Sequence, residues 1–231
     1  MTVGIISDIH GNSTALGMVL PELLDEVETV LFLGDLCGYY PFVNECAAMW
    51  DKDRIIGIRG NHDQVFLNCR EQGTMPDDHY REQFGSALDR NLRTLSDTTC
   101  ALIQSFPVTR TLELGGNIFA LCHGAPWNTL GGRVYPDFDA WERFRDVKAD
   151  VILMGHTHYP LGKKVEGKQI VNPGSVGQPR DKGSMASYAV MNLDTGEIQH
   201  RRRPFDPALM IEDATKYNPD LPYLTEVFLR Q

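Results

Sequence analysis

Short apolar runs alternate with helically spaced apolar positions in the first half of the chain. Three such runs predict buried strands, at residues 2–6, 29–33 and 55–58. After the first run, Ser13 can cap a helix whose apolar face comprises Leu16, Val19, Leu20, Leu23 and Leu24. Pro41 suits the first turn of another helix that continues to Trp50. Strands that alternate with helices in this way predict a parallel sheet.

The second half of the chain has the turn residues typical of antiparallel strands. Gly115-Gly116 separates segments 108–114 and 117–121, which predicts a hairpin. A second hairpin is predicted around Asp194-Thr195-Gly196, between segments 187–192 and 197–201. The run 151–154 predicts one more buried strand. With the parallel half, these segments predict a mixed α/β fold with one mixed sheet or two packed sheets.

A helical stretch lies between these halves, from about residue 77 to 106, with an apolar stripe of Phe84, Leu88, Leu92 and Leu95. Ser96 can cap a second helix that ends before Pro107. The stretch can be a lid over a site or can simply pack against the sheet. We expect one domain over residues 1–231, with a helical insertion at about 64–107. The tail, from about 204 to 231, should dock as one or two short helices.

Charge and composition exclude several classes of function. The 231 residues carry a net charge of −9, which disfavours non-specific binding to nucleic acid. No run reaches the roughly 18 apolar residues of a membrane helix. Asp8 interrupts the first apolar run, so a signal peptide is not expected. Five cysteines without a CxxC pair predict reduced thiols in the cytoplasm. The oligomeric state is not indicated.

Metal-ligand residues follow five apolar runs, usually beside a glycine. The segments read Asp8-Ile9-His10-Gly11, Gly34-Asp35, Gly60-Asn61-His62-Asp63, His123-Gly124 and Gly155-His156-Thr157-His158. Ligands of open α/β sheets gather beyond the carboxyl ends of the strands, so the five loops should converge. In an extended segment, Asp-x-His and His-x-His place both side chains on one side. Neighbours in such a segment point apart, so Asn61 and His62 should not serve the same ion.

The candidate ligands are oxygen and nitrogen donors, with no sulfur among them. They are Asp8, His10, Asp35, Asn61, His123, His156 and His158. This set is too large for one tetrahedral ion and suits two ions that share a carboxylate and a water. Imidazole with carboxylate favours Mn, Fe, Zn or Ni over Ca or Mg, and we expect manganese first. Each motif alone is weak, but five in order are specific.

These segments resemble the calcineurin-like metallophosphoesterase superfamily, over the chain from Thr2 to about Asn192. The segment Asn172-Pro173-Gly174-Ser175-Val176-Gly177 also resembles its small bacterial and archaeal phosphodiesterase-like branch. The resemblance implies a four-layer αββα sandwich of two mixed sheets flanked by helices.

The resemblance also implies an assignment of ligands. One ion would be held by Asp8, His10 and His158, and the other by Asn61, His123 and His156. Asp35 would bridge the two ions, and His62 would be the catalytic residue that faces the substrate.

One departure concerns the segment after the bridging aspartate. The superfamily's serine/threonine protein phosphatases and dinucleoside tetraphosphatases carry an Asp-Arg pair there, but this chain reads Leu36-Cys37-Gly38-Tyr39-Tyr40. Those two activities are therefore not expected. The missing aspartate would steady the catalytic histidine, so another group must orient His62. Asp63 and a backbone carbonyl are the candidates.

The expected function is metal-dependent hydrolysis of a small phosphate ester, with a phosphodiester favoured. A hydroxide shared by the ions would attack phosphorus, so no protein nucleophile is needed. His62 would protonate the departing alkoxide, so its loss should affect alkyl esters more than nitrophenyl esters. Arg180 and Tyr39 are candidates for substrate contact, while Tyr40 and Trp127 can line a pocket or pack in the core. The alternatives are a phosphomonoesterase or nucleotidase, and a non-catalytic scaffold or metal- or nucleotide-binding protein on the same fold.

Overall fold

The computed structural model describes residues 1–231, and its strands form two five-stranded mixed sheets. In chain order the strands are β1 (Thr2–Ile6), β2 (Thr29–Phe32), β3 (Ile55–Gly57), β4 (Thr109–Leu114), β5 (Asn117–Cys122), β6 (Val151–Leu153), β7 (Pro160–Val165), β8 (Lys168–Pro173), β9 (Met185–Asn192) and β10 (Ile198–Pro204). The first sheet has the order β10-β9-β1-β2-β3, and the second has the order β4-β5-β6-β8-β7.

Both sheets combine parallel and antiparallel pairs. β1, β2 and β3 are parallel, and β9 joins them antiparallel to β1. In the second sheet β5, β6 and β8 are parallel, and β4 and β7 are antiparallel edges. The two predicted hairpins are confirmed as β4–β5 and β9–β10. The hairpin β7–β8 was not anticipated as a pair, because the polar run from Gly162 to Lys164 hides the alternation of β7.

Eight α-helices complete the fold. They are α1 (Ser13–Glu26), α2 (Val43–Ala48), α3 (Asn61–Gln72), α4 (Asp78–Phe84), α5 (Ala87–Thr94), α6 (Asp97–Ser105), α7 (Ala208–Tyr217) and α8 (Tyr223–Glu226). The cap of α1 is Asn12, whose Oδ1 accepts the Ala15 N–H at 3.0 Å, so the prediction of Ser13 was wrong by one residue. The helix after Pro41 begins only at Val43 and ends before Trp50.

Three apolar cores separate four layers, which confirms the expected sandwich. Because side chains alternate along a strand, Val3 and Ile5 of β1 pack between the sheets, whereas Ile6 packs under the helices of the first sheet. A smaller core covers the outer face of the second sheet. Its outer layer is the segment between β5 and β6, whose helical part is the 3₁₀ turn Trp141–Phe144.

The helical stretch between β3 and β4 packs on the first sheet's helical side. Leu88 is fully buried there, and Phe84, Leu92 and Leu95 pack against the same core. The stretch 77–106 contains three helices rather than two, because Gly85 at a φ of 80° ends α4. The tail forms α7 and α8, whose residues Met210, Ala214 and Leu224 are buried in the same core. No helix combines the length and the apolar character needed to cross a bilayer.

Candidate dinuclear metal centre

The five predicted loops meet at the carboxyl ends of β1, β2, β3, β5 and β6. Asp8, His10 and His123 have no exposed surface, and Asp35, His158 and His62 are 1%, 2% and 3% exposed. Asn61 and His156 are only partly buried. The centre therefore reaches solvent on the side of these last two residues.

Left-handed backbone brings the ligands together. The φ angles of Asp8, His10, Asp35, His156 and His158 lie between 53° and 67°. Residues other than glycine adopt this region rarely, and such strain concentrates at functional sites. The expectation that Asp8-x-His10 and His156-x-His158 are extended was wrong. Each pair converges because both of its members turn into the left-handed region.

Asn61 also departs from the extended geometry expected of it. It is the first residue of α3, so Asn61 and His62 stand at the start of a helix. The His62 N–H donates to Asp35 Oδ1 at 2.9 Å. The positive end of a helix dipole therefore points at the proposed bridging carboxylate, a favourable position for an anion.

Asp8, His10 and His158 form a first group, whose ligand atoms all lie within 4.8 Å of one another. His10 Nδ1 donates to the Cys37 carbonyl oxygen at 3.0 Å. His158 Nδ1 donates to the Gln178 carbonyl oxygen at 2.7 Å. Because a carbonyl only accepts, Nδ1 of each ring keeps its proton, and the Nε2 atom carries a lone pair whenever the ring is neutral. These two Nε2 atoms nevertheless face each other at 3.0 Å. A cation bound by both Nε2 atoms would replace the repulsion between their lone pairs with two bonds.

Asp35, His123 and His156 form a second group, also within 4.8 Å. His123 Nδ1 donates to the Leu33 carbonyl oxygen at 2.8 Å. Its Nε2 lies 3.1 Å from Asp35 Oδ2 and 3.0 Å from Asn61 Oδ1. Burial lowers the pKa of His123, but Asp35 outweighs it and raises the pKa to about 9. A metal ion that binds here displaces this proton.

Two further buried atoms lack hydrogen-bond partners, namely Asp8 Oδ1 and His156 Nε2. Unpaired buried polar atoms are rare and costly, and metal coordination is one way to satisfy them. Burial lowers the pKa of His156 to about 4 and that of His158 to about 3, so both rings are neutral at physiological pH. The neutral ring is the form that binds metals. These donors fit divalent metal ions.

Glycines let neighbouring loops touch the ligands. A Cβ on Gly60 would lie 2.0 Å from Asp35 Oδ1, and a Cβ on Gly38 would lie 2.1 Å from His10 Nδ1. Any larger residue would displace the ligand side chain itself. Gly38 and Gly60 therefore permit the close approach of their loops to the ligands.

The end of β8 and the loop that follows it brace the ligand loops. Asn172 Nδ2 donates to the Gly155 carbonyl oxygen at 2.7 Å, and Ser175 Oγ donates to the Asp8 carbonyl oxygen at 2.8 Å. The Gly177 N–H donates to the same Asp8 carbonyl at 3.0 Å. The sequence signal for this brace is the Asn-Pro-Gly-Ser run in which β8 ends.

His62 lies beside the centre, within 4.8 Å of ligand atoms of His10 and Asp35. Its Nδ1 contacts the Tyr80 hydroxyl at 2.5 Å. The expectation that Asp63 or a backbone carbonyl orients His62 was therefore wrong. Asp63 instead accepts backbone N–H groups of the loop after β2. Burial lowers the pKa of His62 to about 3.

Arg180 and Tyr39 lie together next to the first group. Arg180 Nη2 donates to the Tyr39 hydroxyl at 2.8 Å, and the Tyr39 ring lies 4.6 Å from the His10 ring. Tyr40 is fully buried and donates to the Leu224 carbonyl oxygen at 2.9 Å. Trp127 packs among the aromatic residues that cover the second sheet. Tyr40 and Trp127 are therefore core residues.

Comparisons with known proteins agree with this arrangement. The model of the calcineurin-like phosphoesterase superfamily domain matches residues 1–196. A probable metallophosphoesterase of Mycoplasma pneumoniae is 31% identical over 201 residues, covering 84% of this chain and 91% of that protein. An uncharacterized protein of Methanocaldococcus jannaschii is 27% identical over 227 residues, covering 88% of each chain.

A solved structure extends the similarity to the whole fold. The crystal structure of a metallophosphoesterase from Sphaerobacter thermophilus superposes with a TM-score of 0.80, at 25% identity and with 98% of both chains covered. The family match includes all five ligand loops and the segment that braces them. This chain therefore belongs to the calcineurin-like phosphoesterase superfamily.

Proposed function

We propose that this protein is a dinuclear metal-dependent hydrolase of small phosphate esters, with phosphodiesters preferred. The observation that carries the proposal is the contact between the acceptor atoms His10 Nε2 and His158 Nε2, at 3.0 Å. Two buried acceptors held this close by carbonyl-bound Nδ1 atoms call for a cation. Membership of the superfamily supports phosphoester chemistry at this cation site.

The proposed ligands are divided between two ions. Asp8, His10 and His158 hold one, Asn61, His123 and His156 hold the other, and Asp35 contacts both. Manganese is our first choice, with Fe, Zn and Ni as alternatives, because the donors mix imidazole with carboxylate. When bound, two such ions supply an activated water and neutralise charge on the phosphate. His62 is the catalytic side chain that contacts the substrate, and Arg180 and Tyr39 border its binding site.

The lack of the arginine that would bind phosphate in related phosphatases supports a diester. A diester carries one negative charge near neutral pH, whereas a monoester carries up to two. The Asp-Arg pair of related phosphatases is missing, and the Arg180 guanidinium already donates to Tyr39. We further propose a reducing compartment such as the cytoplasm, since none of the five cysteines forms a disulfide.

Hydrolysis assays after metal reconstitution test the function. Chelator-treated protein is reloaded with Mn, Zn or Mg and assayed on bis(p-nitrophenyl) phosphate and on p-nitrophenyl phosphate. We expect turnover that requires a transition metal and favours the diester. His123→Ala should abolish it, whereas His79→Gln, which replaces an exposed histidine, should not. A preference for the monoester would indicate a phosphomonoesterase. Metal binding without turnover would indicate a scaffold or sensor.

A further inference from the structure

The contact between Tyr80 and His62 differs from those of the other histidines at the centre. His10, His123 and His158 each present Nδ1 to a backbone carbonyl. His62 presents Nδ1 to the Tyr80 hydroxyl, at 2.5 Å, and both residues are buried. A carbonyl can only accept, but a hydroxyl can also donate. The two kinds of partner can therefore select opposite tautomers.

The direction of the bond follows from the surroundings of Tyr80. Its hydroxyl makes no hydrogen bond other than the one to His62 Nδ1. If Nδ1 were the donor, the buried hydroxyl proton of Tyr80 would have no acceptor, which costs about 1–3 kcal/mol. Donation from Tyr80 to Nδ1 satisfies both groups. The His62 ring then carries its one proton on Nε2.

Aromatic rings hold the His62 ring in this orientation. The Phe84 ring packs edge-on at 4.7 Å between centroids, and the Tyr39 ring lies at 5.3 Å. Tyr80 and Phe84 both come from α4, one turn apart on the same helix face. The helical insertion thus supplies both the hydrogen-bond partner and the packing of His62. This makes α4 part of the site rather than a remote covering.

We propose that Tyr80 is a positioning residue that fixes His62 as a neutral imidazole with its proton on Nε2. This inference rests on the proposed function for its catalytic consequence. A neutral imidazole is too weak an acid to give up its remaining proton. His62 therefore donates a hydrogen bond to the phosphoryl group as charge develops in the transition state, and no proton is transferred. This replaces the role of proton donor that the sequence suggested.

Nuclear magnetic resonance of the imidazole nitrogens tests the tautomer directly. The spectrum is recorded on zinc-loaded protein labelled with ¹⁵N-histidine, and His62 is assigned by comparison with His62→Gln. We expect a protonated Nε2 and an unprotonated Nδ1 for His62. A proton on Nδ1, whether alone or together with one on Nε2, would overturn the inference. This measurement needs no turnover, so it remains decisive if the proposed function fails.

Kinetics of Tyr80→Phe test the consequence. Loss of an orienting partner should lower kcat by about 10–100-fold, as for partners of metal-bound histidines, with little change in KM. Metal content and thermal unfolding are measured on the same samples. Tyr188→Phe is the matched control, because Tyr188 is a buried tyrosine of β9. If the wild-type enzyme is active and Tyr80→Phe has the same kcat, the positioning role is refuted but the proposed function is not. Inactive wild-type enzyme with every metal would refute the proposed function instead.

Discussion

The carboxylate of Asp63 accepts the backbone N–H of Asp35 at 2.9 Å. In the opposite direction, the carboxylate of Asp35 accepts the backbone N–H of His62, the residue before Asp63. The loops after β2 and β3 are therefore joined by two reciprocal bonds between carboxylates and amides. Asp63 also accepts the N–H groups of Cys37 and Gly60 at 2.9 and 3.0 Å. Its role is to hold the loop that carries the proposed bridging ligand.

Asp63→Asn should destabilise the protein and weaken metal binding. The amide keeps one acceptor oxygen and turns its NH₂ toward a backbone N–H, which leaves buried donors unpaired. We expect a loss of about 1–3 kcal/mol in the free energy of unfolding. Urea unfolding and metal titration measure the two effects. Asp51→Asn is the control, because Asp51 accepts its two N–H groups through Oδ1 alone, in a more exposed turn. Equal losses in both variants would contradict the proposed brace.

Gly60→Ala should reduce metal binding through a direct clash. Gly60 has a φ of −97°, which alanine adopts freely, so the effect comes from its Cβ lying 2.0 Å from Asp35 Oδ1. Gly17→Ala is the control. It lies in α1, its added Cβ meets only Met49 Sδ at 3.8 Å, and alanine should stabilise that helix by up to about 1 kcal/mol. Isothermal titration with Mn or Zn distinguishes them, and normal metal affinity in Gly60→Ala would refute the clash.

Asp35→Asn and His10→Ala should have different effects on metal content. Asp35 is the one ligand proposed to contact both ions, so its replacement should weaken both sites together. His10→Ala should mainly empty the site formed with Asp8 and His158. Elemental analysis of reconstituted protein should give two ions per chain for the wild type. Saturation at one ion, or loss of a single ion in Asp35→Asn with near-normal activity, would contradict the dinuclear assignment.

His62→Gln and His62→Asn should separate the two possible roles of this side chain. The longer glutamine can place an N–H near the position of Nε2, whereas the asparagine amide reaches only as far as Nδ1. If His62 donates a hydrogen bond, Asn should lower kcat by about 10²–10³-fold and Gln by less. The losses should be similar for nitrophenyl and alkyl diesters. If both variants lose activity equally on alkyl esters but keep activity on nitrophenyl esters, His62 acts as a proton donor after all. Loss of one ion would make His62 a ligand.

Activity on phosphoproteins should be negligible beside that on small diesters. The Asp-Arg pair of the protein phosphatases is missing, and most of the proposed ligands are buried, with Asn61 and His156 the more exposed ones. A phosphoserine side chain on a folded protein has little room to approach such a recessed site. Phosphate release from a folded phosphoserine protein and nitrophenol release from bis(p-nitrophenyl) phosphate are compared with the same manganese-loaded sample. Efficient, selective hydrolysis of the phosphoserine protein would overturn the expectation.

Element boundaries were predicted well where the pattern was local and strong. The apolar runs of β1 and β2 and the Gly115-Gly116 turn are encoded by consecutive residues, so their positions follow from the sequence. β7 was missed because three successive positions, Gly162, Lys163 and Lys164, are exposed. Its strand conformation comes from pairing with β8, which a local pattern does not reveal.

The residues that follow the strand ends, and hence the chemical set of the centre, could be predicted from the amino-acid sequence. This was possible because strands end locally, and residues such as Asp8 and Asp35 come just after the apolar runs. How these side chains face one another depends on the folded chain. His10 and His158 lie 148 residues apart, and their tautomers depend on carbonyls supplied by other loops. Hydrogen-bond partners of this kind come from the packing of distant loops, and residue order does not specify them.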